Sequence, residues 1–286
     1  MPKKKATTEP QPVLSAPELY ERAIQFIKDG KPRKALTDLN KALKLQPGFV
    51  DALNARGNIH LAEDNLYKAL TDFDRAIRLD PSNGISYNNR GVVLTNLELY
   101  EDALDEFDEA IARGCDRAEV FFNRGDAFGF TGNMEEAADD FTEAIRRKPD
   151  YFDAYLRRGD ARLILGDATR AIDDYTEAIR LNPQSFGAYT SRAKALRQKR
   201  EFTRALADYN TALQLQPDRP NALFERGGTL SQMKKYTEAV ADYKQFLQVT
   251  GLRGPSALTL QRHILHLKAK AKWGEGQTRH ILPPQS

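Results

Sequence analysis

One spacing dominates this sequence. Prolines stand at Pro47, Pro81, Pro149, Pro183 and Pro217, every interval a multiple of 34 residues, with Cys115 and Gly251 on the missing rungs. Alanines keep the same step without a gap: Ala35, Ala69, Ala103, Ala137, Ala171, Ala205 and Ala239. A large rung runs through Leu39, Phe73, Phe107, Phe141, Tyr175, Tyr209 and Tyr243, and a small one through Ala23, Gly57, Gly91, Gly125, Gly159, Ala193 and Gly227. A further alanine rung, Ala42 to Ala212, is broken only at Phe246. In-phase sets of this kind define a repeat array, in which each unit buries its apolar face against its neighbours.

Each unit reads as two amphipathic helices. In the third, Tyr87, Leu94 and Leu97 recur at helical spacing, and so do Tyr100, Ala103, Leu104, Phe107, Ala110 and Ile111. A polar turn separates them, with glycine at Gly30, Gly132 and Gly166, where a helix end favours the left-handed conformation. Proline then closes the second helix, because it lacks the backbone donor and clashes with the preceding turn.

These rungs resemble the tetratricopeptide repeat, whose pattern unit four carries as Phe121, Arg124-Gly125, Phe128, Ala137, Phe141, Ala144 and Pro149. The resemblance implies an all-α fold, a right-handed solenoid of seven helix-turn-helix repeats with a concave inner face. The units are 16–49, 50–83, 84–117, 118–151, 152–185, 186–219 and 220–253. A capping helix is expected over 254–273, docked by Leu258, Leu260, Ile264, Leu265 and Leu267. Disordered tails are expected at 1–15 and 274–286.

The chain departs from the family pattern at one rung. The leucine before glycine is arginine in every unit: Arg22, Arg56, Arg90, Arg124, Arg158, Arg192 and Arg226. An acid precedes the large rung in every unit: Asp38, Asp72, Glu106, Asp140, Asp174, Asp208 and Asp242. Opposite charges repeating in phase predict a ladder of arginine–carboxylate pairs. The alternative is that both simply face water.

Charge explains little until it is divided. The net charge of +3 gathers at the ends, three lysines against one acid in 1–15 and six cations against one acid in 252–286, so the repeats themselves are net acidic. That balance, and the lack of aromatics along a basic groove, argue against a nucleic-acid partner. No apolar run approaches a membrane span, and no membrane partner is expected. The single cysteine fits a reducing, cytoplasmic setting. No phosphate-binding loop or catalytic constellation is present. His263 and His266 have no third ligand nearby, so no enzyme activity, metal or cofactor is expected.

Function is therefore expected on the inner helix surface. By the resemblance, groove positions include Asn54, Asn58, Asn88, Asn89, Phe122, Asn123, Asp126, Leu156, Arg157 and Lys194. An asparagine row offers donors and acceptors to the backbone of an extended peptide; equally, asparagines cap or solvate helices. Arg157, Arg162, Lys194, Arg197, Lys199 and Arg200 gather in units five and six, where they suit an acidic segment. The carboxylate clamp of chaperone-binding relatives is matched only at Asn123 and Arg157, and Asp153 reverses a required charge. The reading is a non-enzymatic interaction scaffold for a protein or peptide. A chaperone co-factor gripping an acidic tail by a non-standard clamp is the alternative, and a nucleic-acid-binding repeat a more distant one. Partner and oligomeric state are not readable.

Overall fold

The computed structural model describes residues 14–278, with side chains through Lys272; the expected tails at 1–13 and 279–286 lie outside the described residues. Among those residues there are fifteen α-helices and no strand. The chain divides into two compact units, 1–132 and 133–286. The first holds α1 (Ala16–Lys28), α2 (Pro32–Leu45), α3 (Val50–Ala62), α4 (Leu66–Leu79), α5 (Gly84–Asn96), α6 (Tyr100–Ala112) and α7 (Ala118–Thr131). The second holds α8 (Met134–Arg147), α9 (Phe152–Ile164), α10 (Ala168–Leu181), α11 (Phe186–Gln198), α12 (Phe202–Leu215), α13 (Pro220–Gln232), α14 (Tyr236–Thr250) and α15 (Pro255–Thr278).

Within each unit consecutive helices pack on one another, and α3 also touches α5, α5 touches α7, α9 touches α11 and α11 touches α13. The repeat rungs supply the contacts. The uninterrupted alanine rung is wholly buried at all seven positions. The small and large rungs fit one another. A Cβ built on Gly57 would lie 2.5 Å from the Phe73 ring, on Gly91 2.7 Å from Phe107, and on Gly159 2.7 Å from Tyr175. Glycine here lets a ring come close to the facing helix backbone, where a Cβ would collide with it. In the first repeat the large residue is Leu39 rather than a ring, and Ala23 takes the glycine position with its side chain fully buried.

The turn between the two helices of a hairpin has one left-handed residue, again on a 34-residue step. Gly30, Gly132 and Gly166 have positive φ, and so do Asp64, Glu98, Arg200 and Lys234, with φ near +60°. Where the proline rung is missing, Gly114 (φ 75°) and Gly251 (φ 58°) end the helix instead.

Two expectations at the ends need correction. Ser15, assigned to the N-terminal tail, is the N-cap of α1. Its backbone N–H donates to Glu18 Oε2 at 2.7 Å while its hydroxyl accepts from the Glu18 N–H at 3.4 Å. The last helix runs to Thr278, past the expected boundary at 273, because the next proline after Pro255 is Pro283 and nothing earlier stops it. It docks by Ala257, Leu260, Ile264 and Leu267 against Leu230, Val240 and Tyr243. Leu258 and Leu265, also expected to dock, are 55% and 63% exposed. They lie on a different helical stripe, and only one stripe can face α14.

Candidate functional site

The charge ladder is present and has a second arm. Arg22, Arg56, Arg192 and Arg226 each bind a carboxylate with two nitrogens, at 2.6 and 2.8 Å to Asp38, 2.8 and 2.6 Å to Asp72, 2.8 and 2.8 Å to Asp208, and 2.8 and 2.6 Å to Asp242. Arg158 binds Asp174 at 2.7 Å and Arg90 binds Glu106 at 2.5 Å. These acids belong to the second helix of the same hairpin. The remaining guanidinium nitrogen reaches back to the preceding repeat's second helix: Arg56 to Asn40 at 2.7 Å, Arg90 to Asp74 at 2.9 Å, Arg124 to Asp108 at 2.6 Å. In the second unit Arg158 reaches Thr142 at 3.0 Å, Arg192 Thr176 at 3.1 Å and Arg226 Asn210 at 2.9 Å. The planar fork of arginine makes this geometry possible, since one side chain presents donors to two neighbours. These arginines are therefore structural staples, not free binding groups.

In the first unit the first helices of successive hairpins form an apolar groove of about 660 Å³. Tyr20, Ile24 and Ile27 of α1, Ile59 of α3 and Ile85 of α5 line it, with Asn54 and Asn58 among them. Asn58 is exposed, whereas Asn54 and Asn89, read from sequence as groove contacts, are only 7% and 9% exposed. The amides form a relay: Asn123 Nδ2 donates to Asn88 Oδ1 at 3.1 Å, and Asn88 Nδ2 donates to Asn89 Oδ1 at 3.3 Å. Separately, Asn54 Nδ2 donates to Ser86 Oγ at 2.9 Å. Among the atoms of these asparagine amides, the acceptor Asn54 Oδ1 and the donor Asn89 Nδ2 are buried and unsatisfied. Each costs about 1–3 kcal/mol when buried without a partner. Phe122 and Asp126 are half-buried on α7, and beyond them exposed Phe130 stacks on Tyr100 with ring centroids 4.9 Å apart.

In the second unit the basic gathering is largely neutralised. Arg162 pairs with Asp174 at 2.7 Å, Arg197 pairs with Glu225, and Lys199 lies 3.8 Å from Glu201. Leu156 is half-buried and packs on the core formed by Tyr175 and Leu196. Arg157 and Lys194 are exposed. Their charges act on a residue that sequence reading missed, Asp160, which accepts from the Tyr175 hydroxyl at 2.7 Å. Burial pushes the Asp160 carboxyl above its ordinary range, against the pull of that hydrogen bond and of Arg157 and Lys194. The signal was available, because Asp160 stands one period after Asp126 and one before Lys194.

The residues read as candidate chemistry are placed otherwise. Cys115 is buried against Tyr87, Ala110 and Val120, and burial raises its thiol pKa, the reverse of an activated nucleophile. His263 packs edge-on against the Tyr243 ring at 5.5 Å. Among the described residues no helix is long and apolar enough to cross a membrane.

A chain of stapled helical hairpins with a groove between the first helices of its first unit is an α-helical repeat protein of the interaction class. Profiles of the tetratricopeptide repeat match residues 20–84, 65–118, 122–186 and 192–264, well over half of the sequence. The chain belongs to the tetratricopeptide repeat family, typically a non-catalytic fold for binding proteins and peptides. Curated proteins give no sequence match. Solved structures share the fold. The Pseudomonas aeruginosa protein pilF is 20% identical with a TM-score of 0.65, over 75% of this chain and 97% of that one. A tetratricopeptide repeat protein from Parabacteroides merdae is 20% identical with a TM-score of 0.58, over 88% and 98%. YrrB, described as a TPR protein with an unusual peptide-binding site, is 22% identical with a TM-score of 0.57, over 65% and 95%.

Proposed function

We propose that the chain is a non-enzymatic interaction scaffold that binds an extended peptide segment along the first-helix face of its N-terminal unit. The observation that carries this reading is the apolar groove with the unsatisfied acceptor Asn54 Oδ1 on its lining, followed on α5 by the unsatisfied donor Asn89 Nδ2. A peptide backbone carries the complementary donor and acceptor in every residue. The isoleucines and Tyr20 take its apolar side chains, while Asn58, Asn88 and Asn123 flank the path. The likeness to YrrB supports the fold of such a reading. In the second unit Leu156, Arg157 and Lys194 offer a separate surface. An acidic tail held there is the weaker reading, because most neighbouring cations already have carboxylate partners. A single cysteine, free and buried, suits a reducing compartment such as the cytoplasm.

The test is selection of random peptides on the full chain by display, repeated on Asn54→Ala/Asn89→Ala, with circular dichroism to confirm folding. Selected peptides are expected to bind the double variant at least about tenfold more weakly, the worth of one or two hydrogen bonds to buried groups. Peptides that bind both proteins equally would place the binding surface elsewhere.

A further inference from the structure

The C-terminal end of the second unit carries a surface that the peptide-binding reading does not use. From residue 243 to 274 there is no acid, while Lys244, Arg253, Arg262, Lys268, Lys270 and Lys272 supply six cations. Three of them, Lys244 on α14 and Lys268 and Lys272 on α15, line one open groove of about 840 Å³ between the two helices. None of these three makes an ion pair among the described residues. Asp218 is the one carboxylate on that lining, and it accepts from Gln245 Nε2 at 3.3 Å. Beside the lysines, one helical stripe further round α15, lie exposed Leu258, Arg262 and Leu265.

Helical geometry makes this one surface. With 100° per residue, Lys268, Lys272, Leu265, Leu258 and Arg262 follow one another around the wall of α15, from Lys268 at the edge of the docked stripe of Ala257, Leu260, Ile264 and Leu267 round to Arg262 on the side opposite it. Cations that flank exposed leucines on a helix lying against its own protein need a partner both anionic and apolar just beneath its surface. An acidic peptide answers the lysines and leaves the leucines wet. A nucleic acid would find no aromatic ring on the groove lining to stack on. A bilayer with anionic headgroups answers both, with phosphates against the lysines and leucines at the acyl boundary.

We propose that this face of α15, with Lys244 of α14, docks the protein peripherally on an anionic phospholipid surface. Such docking needs no membrane-spanning helix, and it revises the expectation that the chain has no membrane partner. It also leaves the N-terminal peptide groove unoccupied, so the two readings stand or fall separately.

The experiment is co-sedimentation of the full chain with vesicles of phosphatidylserine in phosphatidylcholine, and with phosphatidylcholine alone. The chain is expected to pellet with the anionic vesicles only, and to be released by salt. Lys3, Lys4 and Lys5 also carry charge, so Lys244→Ala/Lys268→Ala/Lys272→Ala is the deciding variant. All three side chains are exposed, and the variant is expected to fold as the wild type and to bind about a hundredfold more weakly. Leu258→Ser/Leu265→Ser is expected to weaken binding about tenfold or more at unchanged charge. No retention on anionic vesicles, equal retention on neutral ones, or full retention of the lysine variant would each overturn the proposal. So would capture of polyglutamate or single-stranded DNA by the same lysines without vesicle binding.

Discussion

Asp160 shows how much one side chain's surroundings decide. It sits at the same repeat position as Asp126 and Lys194, yet burial, against the opposing pull of the Tyr175 hydroxyl, gives it a carboxyl that holds its proton more tightly than an unfolded aspartate. The sign of the consequence follows from linkage. A raised folded pKa means that stability is greatest below the unfolded value of about 3.9 and is lost as pH rises through the folded one. Asparagine keeps an oxygen to accept from Tyr175 and carries no charge. Relative to the wild type, Asp160→Asn is therefore expected to gain stability as pH is raised from below about 3.9 through the raised folded value, and to hold that gain above it. Urea unfolding of both proteins across that range reads it. A difference that is flat with pH, or falls, would show that the flanking Arg157 and Lys194 outweigh burial.

At the scale of the helical hairpin, most of the fold was legible because identical constraints recur in phase. Gly91 beneath Phe107 and the fully buried alanine rung are packing requirements that leave a residue-type signature. The arginine staples were legible in one direction only. Their forward arm joins two charges, but the backward arm ends on Asn40, Asp74, Asp108, Thr142, Thr176 and Asn210, which share a position and not a charge. The asparagine relay stayed hidden for another reason: whether an asparagine faces solvent or a neighbour depends on packing between repeats, not on its place within one. The left-handed turn position was half legible, since only Gly30, Gly132 and Gly166 announce it. At Glu98 the same backbone carries a side chain at φ 61°, which costs an L-residue about 1–2 kcal/mol against the entropy glycine loses, about 0.5–1 kcal/mol. Glu98→Gly is expected to stabilise the chain by about 0.5–1 kcal/mol. A lower thermal midpoint for that variant would show that Glu98 makes a compensating contact.

Over the whole molecule, stability accumulates hairpin by hairpin, each joined to the last through apolar contacts and an arginine staple. The first hairpin is the exception. Arg22 binds Asp38 but has no second arm among the described residues, and its side chain is 46% exposed against 21% for Arg56. Removing Arg56 leaves Asp72 buried and unpaired between two repeats, at a cost of about 3 kcal/mol. Removing Arg22 takes away a partner that is already half exposed to water and joined to Asp38 alone, at a smaller cost. Arg56→Ala is thus expected to lower the urea midpoint well beyond Arg22→Ala. Amide exchange in α1 and α2 is expected to outpace that in α3 to α6, because among the described residues the first hairpin packs on one neighbouring hairpin and those of α3 to α6 on two. Equal costs for the two variants would mean that the backward arm contributes nothing, and that the pairing within each hairpin alone sets the strength of the array.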